Sequence, residues 1–179
     1  MGLRNSEKNL RSMSVVSQTQ SFVSISDEIE SLFKELKALP VELQERGRFV
    51  PISMEEDPDI INTYYLMKEL YESLQRSQGD AVSAFAAANN LFSSYSVVHE
   101  NFKRATNSVK AALGIQTSRV VSRLQSINMR FETLLNRMVA MAVAIVKKYS
   151  KELSLSSIAI TVNSTPPGIS VNFTYTKSR

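Results

Sequence analysis

From Ile60 onward, apolar side chains recur at steps of four and three: Ile60, Tyr64, Met67, Tyr71, Leu74, Ala81, Phe85, Ala88, Phe92, Tyr95, Phe102, Val109 and Leu113. Gln78, His99 and Thr106 stand at the places the pattern leaves open. Steps that average near 3.5 keep one face of an α-helix apolar. A helix gains too little from intrinsic propensity to stand alone, so that face must be covered by other helices. Asp57-Pro58 marks the start, with a capping carboxylate followed by a proline whose missing N–H costs nothing in the first turn. Gly79-Asp80 can interrupt the run, with Asp80 capping a second helix.

At Gly114 the phase changes. Continued from Leu113, the old register places the core at 116, 120, 123 and 127, so that positions 123 and 130 hold arginine. The sequence instead offers Val120, Leu124, Ile127, Phe131, Leu134, Met138, Met141 and Ile145. A slip beside a glycine is either a stutter in one helix or a turn between two. The turn hides both apolar stripes and is the preferred reading, giving long helices over 58–113 and 116–152 that fold back on each other. A shorter helix is expected over 26–39. Ser26 caps it, Asp27 and Glu28 face its positive end, and Ile29, Leu32, Phe33, Leu36 and Leu39 form its buried face. Pro40 limits it, and Gly47, Pro51 and the run EEDPD read as a connector. The polar start of the chain reads as an arm, with VVSQTQSFVSI suited to an extended conformation.

The period changes again near the C-terminus. Ile158, Ile160 and Val162 alternate with Ala159 and Thr161, and after NSTPPG Ile169, Val171, Phe173 and Tyr175 alternate with Ser170, Asn172 and Thr174. That pattern predicts a β-hairpin. An isolated hairpin is marginal in water, so it must pack on the helices, pair with the 15–25 stretch, or pair with another chain. The expected fold class is mainly α: a long-helix bundle or helical hairpin with coiled-coil-like packing, plus a C-terminal β-hairpin. The expected division is a polar arm over 1–25, a helical bundle over 26–153 and the hairpin over 154–179.

The chain of 179 residues has no cysteine and one histidine, His99. Thiolate chemistry, disulfides and a multi-histidine metal centre within one chain are therefore excluded. His99 occupies a core-register place between Tyr95 and Phe102 and reads as a buried or half-buried structural histidine. Glu55, Glu56, Asp57 and Asp59 lack the spacing of a calcium loop and read as acids at a helix start. No phosphate-binding glycine loop or nucleophile elbow occurs. The protein is thus expected to be non-enzymatic, with no cofactor, no metal and no evident small-molecule substrate. The N-terminal stretch has no signal-peptide core, and the longest apolar run, Met138–Val146, is too short to span a bilayer. An intracellular location is favoured on that basis and the compartment is otherwise open.

Charge is distributed unevenly. Residues 26–60 carry ten acidic and four basic side chains, whereas residues 99–153 carry ten basic and three acidic. Arg123, Arg130 and Arg137 each precede a core position of the reset register. At such flanking places long side chains cover the core and pair with acids on a neighbouring helix. With Arg119, Lys147 and Lys148 they form the candidate interaction residues. The preferred function is an assembly or interaction protein, a homo-oligomer or the binder of a protein partner, working through its helices and hairpin. Opposed charge between the two segments is the expected subunit contact. Two alternatives stand beside it. In one, the MVAMAVAIV stretch, apolar around the whole helix, acts on membranes with Lys147, Lys148 and Lys151 at the interface. In the other, the basic surface, extended by Lys103, Arg104 and Lys110, binds nucleic-acid backbone without sequence preference. Ala81, Ala84, Ala86, Ala87 and Ala88 read as a patch for close helix packing.

Overall fold

A computed structural model describes residues 24–39, 41–52, 54–112, 118–164 and 166–176. Among the described residues the protein is mainly helical, with four α-helices and a C-terminal two-stranded antiparallel hairpin. In chain order the elements are α1 (Ile25–Lys37), β1 (Val41–Glu45), β2 (Arg48–Ile52), α2 (Pro58–Arg76), a 3-10 turn (Ser77–Gly79), α3 (Ala81–Ala112), α4 (Ser118–Lys148), β3 (Leu155–Ser164) and β4 (Pro167–Tyr175).

The cap of α1 is Ser24, whose Oγ accepts from the Asp27 N–H at 3.0 Å. Ser26, the expected cap, lies inside the helix, and so does Ile25, at the end of the stretch expected to be extended. Residues 15–23 of that stretch lie outside the described residues. Ile29, Leu32, Phe33, Leu36 and Leu39 are all buried, as their spacing predicts.

The segment read as a connector contains a hairpin instead. β1 and β2 pair antiparallel from Val41↔Ile52 to Glu45↔Arg48. Arg46 (φ 47°) and Gly47 (φ 77°) turn the chain, both left-handed. Two residues with positive φ match the right-handed twist of paired strands, and glycine adopts that region without strain. Pro51 does not prevent pairing, because in a two-stranded sheet every strand has an open edge where a missing N–H is tolerated.

Asp57 caps α2, its Oδ1 accepting from the N–H groups of Asp59 (3.0 Å) and Ile60 (3.1 Å). Asp80 likewise accepts from the Ser83 N–H at 2.8 Å at the start of α3. The interruption between them is a full reversal. Arg104, far along α3, lies 3.3 Å from Asp59 at the start of α2. The long register of the sequence therefore belongs to two antiparallel helices. A second reversal falls between Ala112 and Ser118. His99 meets Glu132, the Phe102 ring meets Phe131, and Tyr149, just past α4, donates to the Gln78 carbonyl. α4 thus runs antiparallel to α3, and a single continuous helix is ruled out. Gly114 itself lies outside the described residues.

One aromatic side chain from each helix meets in the core. Phe102 of α3 stacks on Phe131 of α4, with centroids 3.7 Å apart and planes at 2°. Phe33 of α1 approaches Phe102 edge-on at 6.2 Å, and Tyr64 of α2 approaches Phe33 at 5.6 Å. α3 buries a second stripe that the register did not include, comprising Ala84, Ala87, Leu91, Val98 and Ala105. It does so because α2, α4 and the C-terminal hairpin all pack against it. Of the small-residue patch, Ala84, Ala87 and Ala88 are buried, Ala81 is half-buried and Ala86 is exposed. The Met138–Val146 stretch is not buried on all sides. Met138, Val139, Ala142, Ile145 and Val146 face the core, whereas Ala140 and Ala144 face outward. Alanine offers little apolar area, so this outer face costs little when wet.

After α4 the chain turns over residues 149–154, where the helix was expected to continue, and enters β3. β3 and β4 pair with Ile158↔Phe173, Ile160↔Val171 and Val162↔Ile169 in register. β4 lies along α3: the Phe173 and Phe85 rings are 4.8 Å apart, and the Ser96 hydroxyl donates to the Pro167 carbonyl at 2.9 Å. The hairpin therefore packs on the helices, one of the three outcomes its sequence allowed.

The inward and outward faces of α4 should answer differently to charge. Ala142→Asp places an unpaired carboxylate at a fully buried site and should destabilise the bundle by more than about 3 kcal/mol in urea unfolding, whereas Ala144→Asp should stay within about 0.5 kcal/mol of the parent. Equal effects would contradict the orientation of α4.

Candidate interaction surfaces

The basic residues of α4 do not act as one surface. Arg119 and Arg123 are exposed. Arg130 is engaged within the chain: its Nε lies 3.0 Å from Glu28 Oε1 and its Nη1 lies 2.6 Å from Glu35 Oε1, both on α1. Its Nη2 also donates to the Ser31 hydroxyl at 3.0 Å. The guanidinium fork is suited to this arrangement because its donors are fixed in one plane. Burial works against the Arg130 charge, but the hydrogen bonds to Glu35 and Glu28 outweigh it, and its pKa is raised. Arg137 is half-buried and lines a groove beside α1 together with Glu28, Ser122, Met129 and Arg130. Lys147 and Lys148 are exposed at the far end of α4. The Lys148 ammonium donates to the Gln78 carbonyl at 3.3 Å and lies 4.8 Å from the centre of the Tyr149 ring.

Part of the opposed charge between the two halves is thus satisfied inside one chain, through Arg130 with Glu28 and Glu35 and through Arg104 with Asp59. A second cluster joins α1 to α2. The Tyr64 hydroxyl donates to Glu30 Oε1 at 2.5 Å, and the Lys68 ammonium lies 3.2 Å from the same oxygen. The Tyr64 hydrogen bond, then the one from Lys68, hold the Glu30 carboxyl below its ordinary range. Acids spaced seven apart on α1, Glu28 and Glu35, are legible in the sequence as one helix face. What the sequence lacks is the statement that this face lies against α4.

His99 is half-buried, with its Nε2 2.5 Å from Glu132 Oε1, while its Nδ1 is buried without a hydrogen-bond partner. The imidazole sits between Tyr95 and Phe131, with centroids 6.2 Å and 5.8 Å away. The pair is a polar contact that bridges α3 and α4. Among the described residues, no three acidic or histidine side chains converge where a metal ion would sit, and no helix is long and apolar enough to cross a membrane. The acids near the start of α2 are in use, Asp57 as a cap and Asp59 as the partner of Arg104.

The C-terminal hairpin offers a different surface. Ile158, Ile160, Ile169, Val171 and Phe173 share its inner face and are only half-buried, while Val162 is 49% exposed. The inner face therefore extends past the helix that covers it. Among the described residues neither β3 nor β4 has a second ladder partner, so the outer edge of β3 is unpaired. Neither strand carries a charged residue. Isolated exposed side chains elsewhere, such as Met129 on α4 and Tyr65 on α2, form no comparable apolar strip.

The Arg130 contact is testable by a double-mutant cycle. Arg130→Gln should destabilise by about 1–2 kcal/mol, and the cycle with Glu35→Gln should give a coupling of about 1 kcal/mol from urea unfolding, more than a solvent-exposed pair supplies. A coupling indistinguishable from zero would mean that Arg130 does not tie α1 to α4. The chain matches no protein-family model, no curated protein and no solved structure.

Proposed function

We propose that this protein is a non-enzymatic interaction protein in which a rigid four-helix platform presents the C-terminal hairpin to a partner. The observation that carries this reading is the half-covered apolar face of β3–β4, continuous with an unpaired strand edge free of charged residues. Strand edges in soluble proteins are ordinarily blunted by charge, proline, bulges or covering elements. Along β3, which carries no charge and no proline, a register shift between Leu155 and Ser157, at the very start of the strand, is the one such device among the described residues. Apolar strips and open edges of this kind are what strand-adding partners use, with main-chain bonds supplying affinity and side-chain pockets supplying specificity.

The other readings have less support. Membrane insertion of Met138–Val146 would require the bundle to open, since its large side chains face the core. Nucleic-acid packing by the α4 arginines would have to compete with Glu28 and Glu35 for Arg130. Charge-driven subunit contact loses the same groups.

If the hairpin is a binding element rather than a layer of the core, charge on its overhanging face should be tolerated by the fold. Val162→Asp is expected to shift bundle stability by less than about 1 kcal/mol, measured by circular dichroism during urea unfolding of protein dilute enough to be monomeric. A loss of about 3 kcal/mol, as for a core truncation, would overturn the reading and make the hairpin part of the core.

A further inference from the structure

We infer that the partner of β3 is β3 of a second copy of this chain, paired antiparallel about a two-fold axis at Ile160 to give a continuous four-stranded sheet. The inference rests on the interaction reading above and names its partner. Three observations carry it.

The first is the uncharged edge. Between Leu155 and Ser164 there is no charged residue to select a partner by opposite charge, and none to repel an identical strand. Charge complementarity with a foreign acidic or basic strand is therefore absent, and an identical strand meets no penalty. The second is self-matching sequence. An antiparallel pairing of identical strands opposes residue i to residue 320 − i when the axis passes through Ile160. Ile158 then faces Val162 of the partner subunit, Ile160 faces its own equivalent, and Val162 faces the partner's Ile158. Moving the axis by one residue either way leaves one of these three opposite a serine. The side-chain period of two keeps all three on the apolar face, continuous with Ile169, Val171 and Phe173. The third is exposure. Val162, the most exposed of these three residues, gains an isoleucine neighbour in this register. A two-fold contact of this kind closes on itself and leaves β4, seated on α3, as the outer strand of each half.

The test begins with the mass of the unaltered protein in solution. The chain is 20.0 kDa, so the paired form has twice that mass. It should persist from about 0.05 to about 0.5 M salt, because an uncharged interface is not screened, whereas a charge-driven dimer would dissociate over that range. Ile160→Lys and Ile160→Glu each place like charges face to face on the axis, so each variant alone should be monomeric. An equimolar mixture should recover the dimer, with one lysine opposite one glutamate. Circular dichroism of each variant should show the helices retained. A monomer at every concentration overturns the inference, as does a dimer that dissolves in salt or one indifferent to both substitutions. The interaction reading is judged separately, by the stability of Val162→Asp, so a monomer that tolerates that change removes the second copy alone.

Discussion

The stacked rings of Phe102 and Phe131 hold the position on which the other contacts depend. They lie 3.7 Å apart with nearly parallel planes, where the two longest helices pack together. Phe33 meets this pair edge-on and Tyr64 meets Phe33, so each of the four helices contributes a ring to one cluster. Aromatic pairs have preferred geometries and bury large areas, which fixes helix rotation as well as separation. Once α1 is held there, its Glu28 and Glu35 face Arg130 and its Glu30 faces Tyr64 and Lys68. These ion pairs follow from the aromatic contact and refine the alignment. Half-exposed ion pairs are too weak to bring the helices together by themselves.

α3 is the element with the most neighbours, and its composition reflects that. A helix packed on one side needs one apolar stripe, but α3 meets α2, α4 and β4. Its alanines bring helices close at Ala84, Ala87 and Ala88, and its aromatic residues fill the wider spaces at Phe92, Tyr95 and Phe102. Phe85, only half-buried, turns toward Phe173 and so seats the hairpin. The polar Ser96 provides one hydrogen bond at the other end of β4. The hairpin is thus attached mainly along β4, with Leu155 of β3 also buried in the core, and the later part of β3 reaches the exposed Val162.

The periodicities were readable because they answer to local physics. The buried face of α1, the caps Asp57 and Asp80, the reset register from Val120 to Ile145 and the alternating strands at the C-terminus each depend on residues close in sequence. The first hairpin is hard to see in the sequence because Gly47 and Pro51 read equally well as breakers. A two-residue turn with glycine second, between five-residue runs, was the available signal. The reversal at Ser77–Gly79 was hidden because the two helices happen to keep one phase across it. The extra stripe on α3 and the acids that meet Arg130 depend on which helices are neighbours, and no local pattern encodes that. Apolar character around Met138–Val146 suggested burial on every side because alanine counts as apolar, although Ala140 and Ala144 expose little area.

The account divides the protein into a platform whose stability comes from the four-helix core and a hairpin that the platform carries. Native-state hydrogen exchange, followed residue by residue in dilute protein, tests that division most directly. Amides near Phe102 and Phe131 should exchange only through global unfolding, at the free energy found by urea unfolding. Amides of β3 and β4 should exchange through a separate opening, lower by about 2 kcal/mol or more. Exchange of the hairpin at the same free energy as the α3–α4 core would contradict the account, because the hairpin would then be a structural part of the bundle.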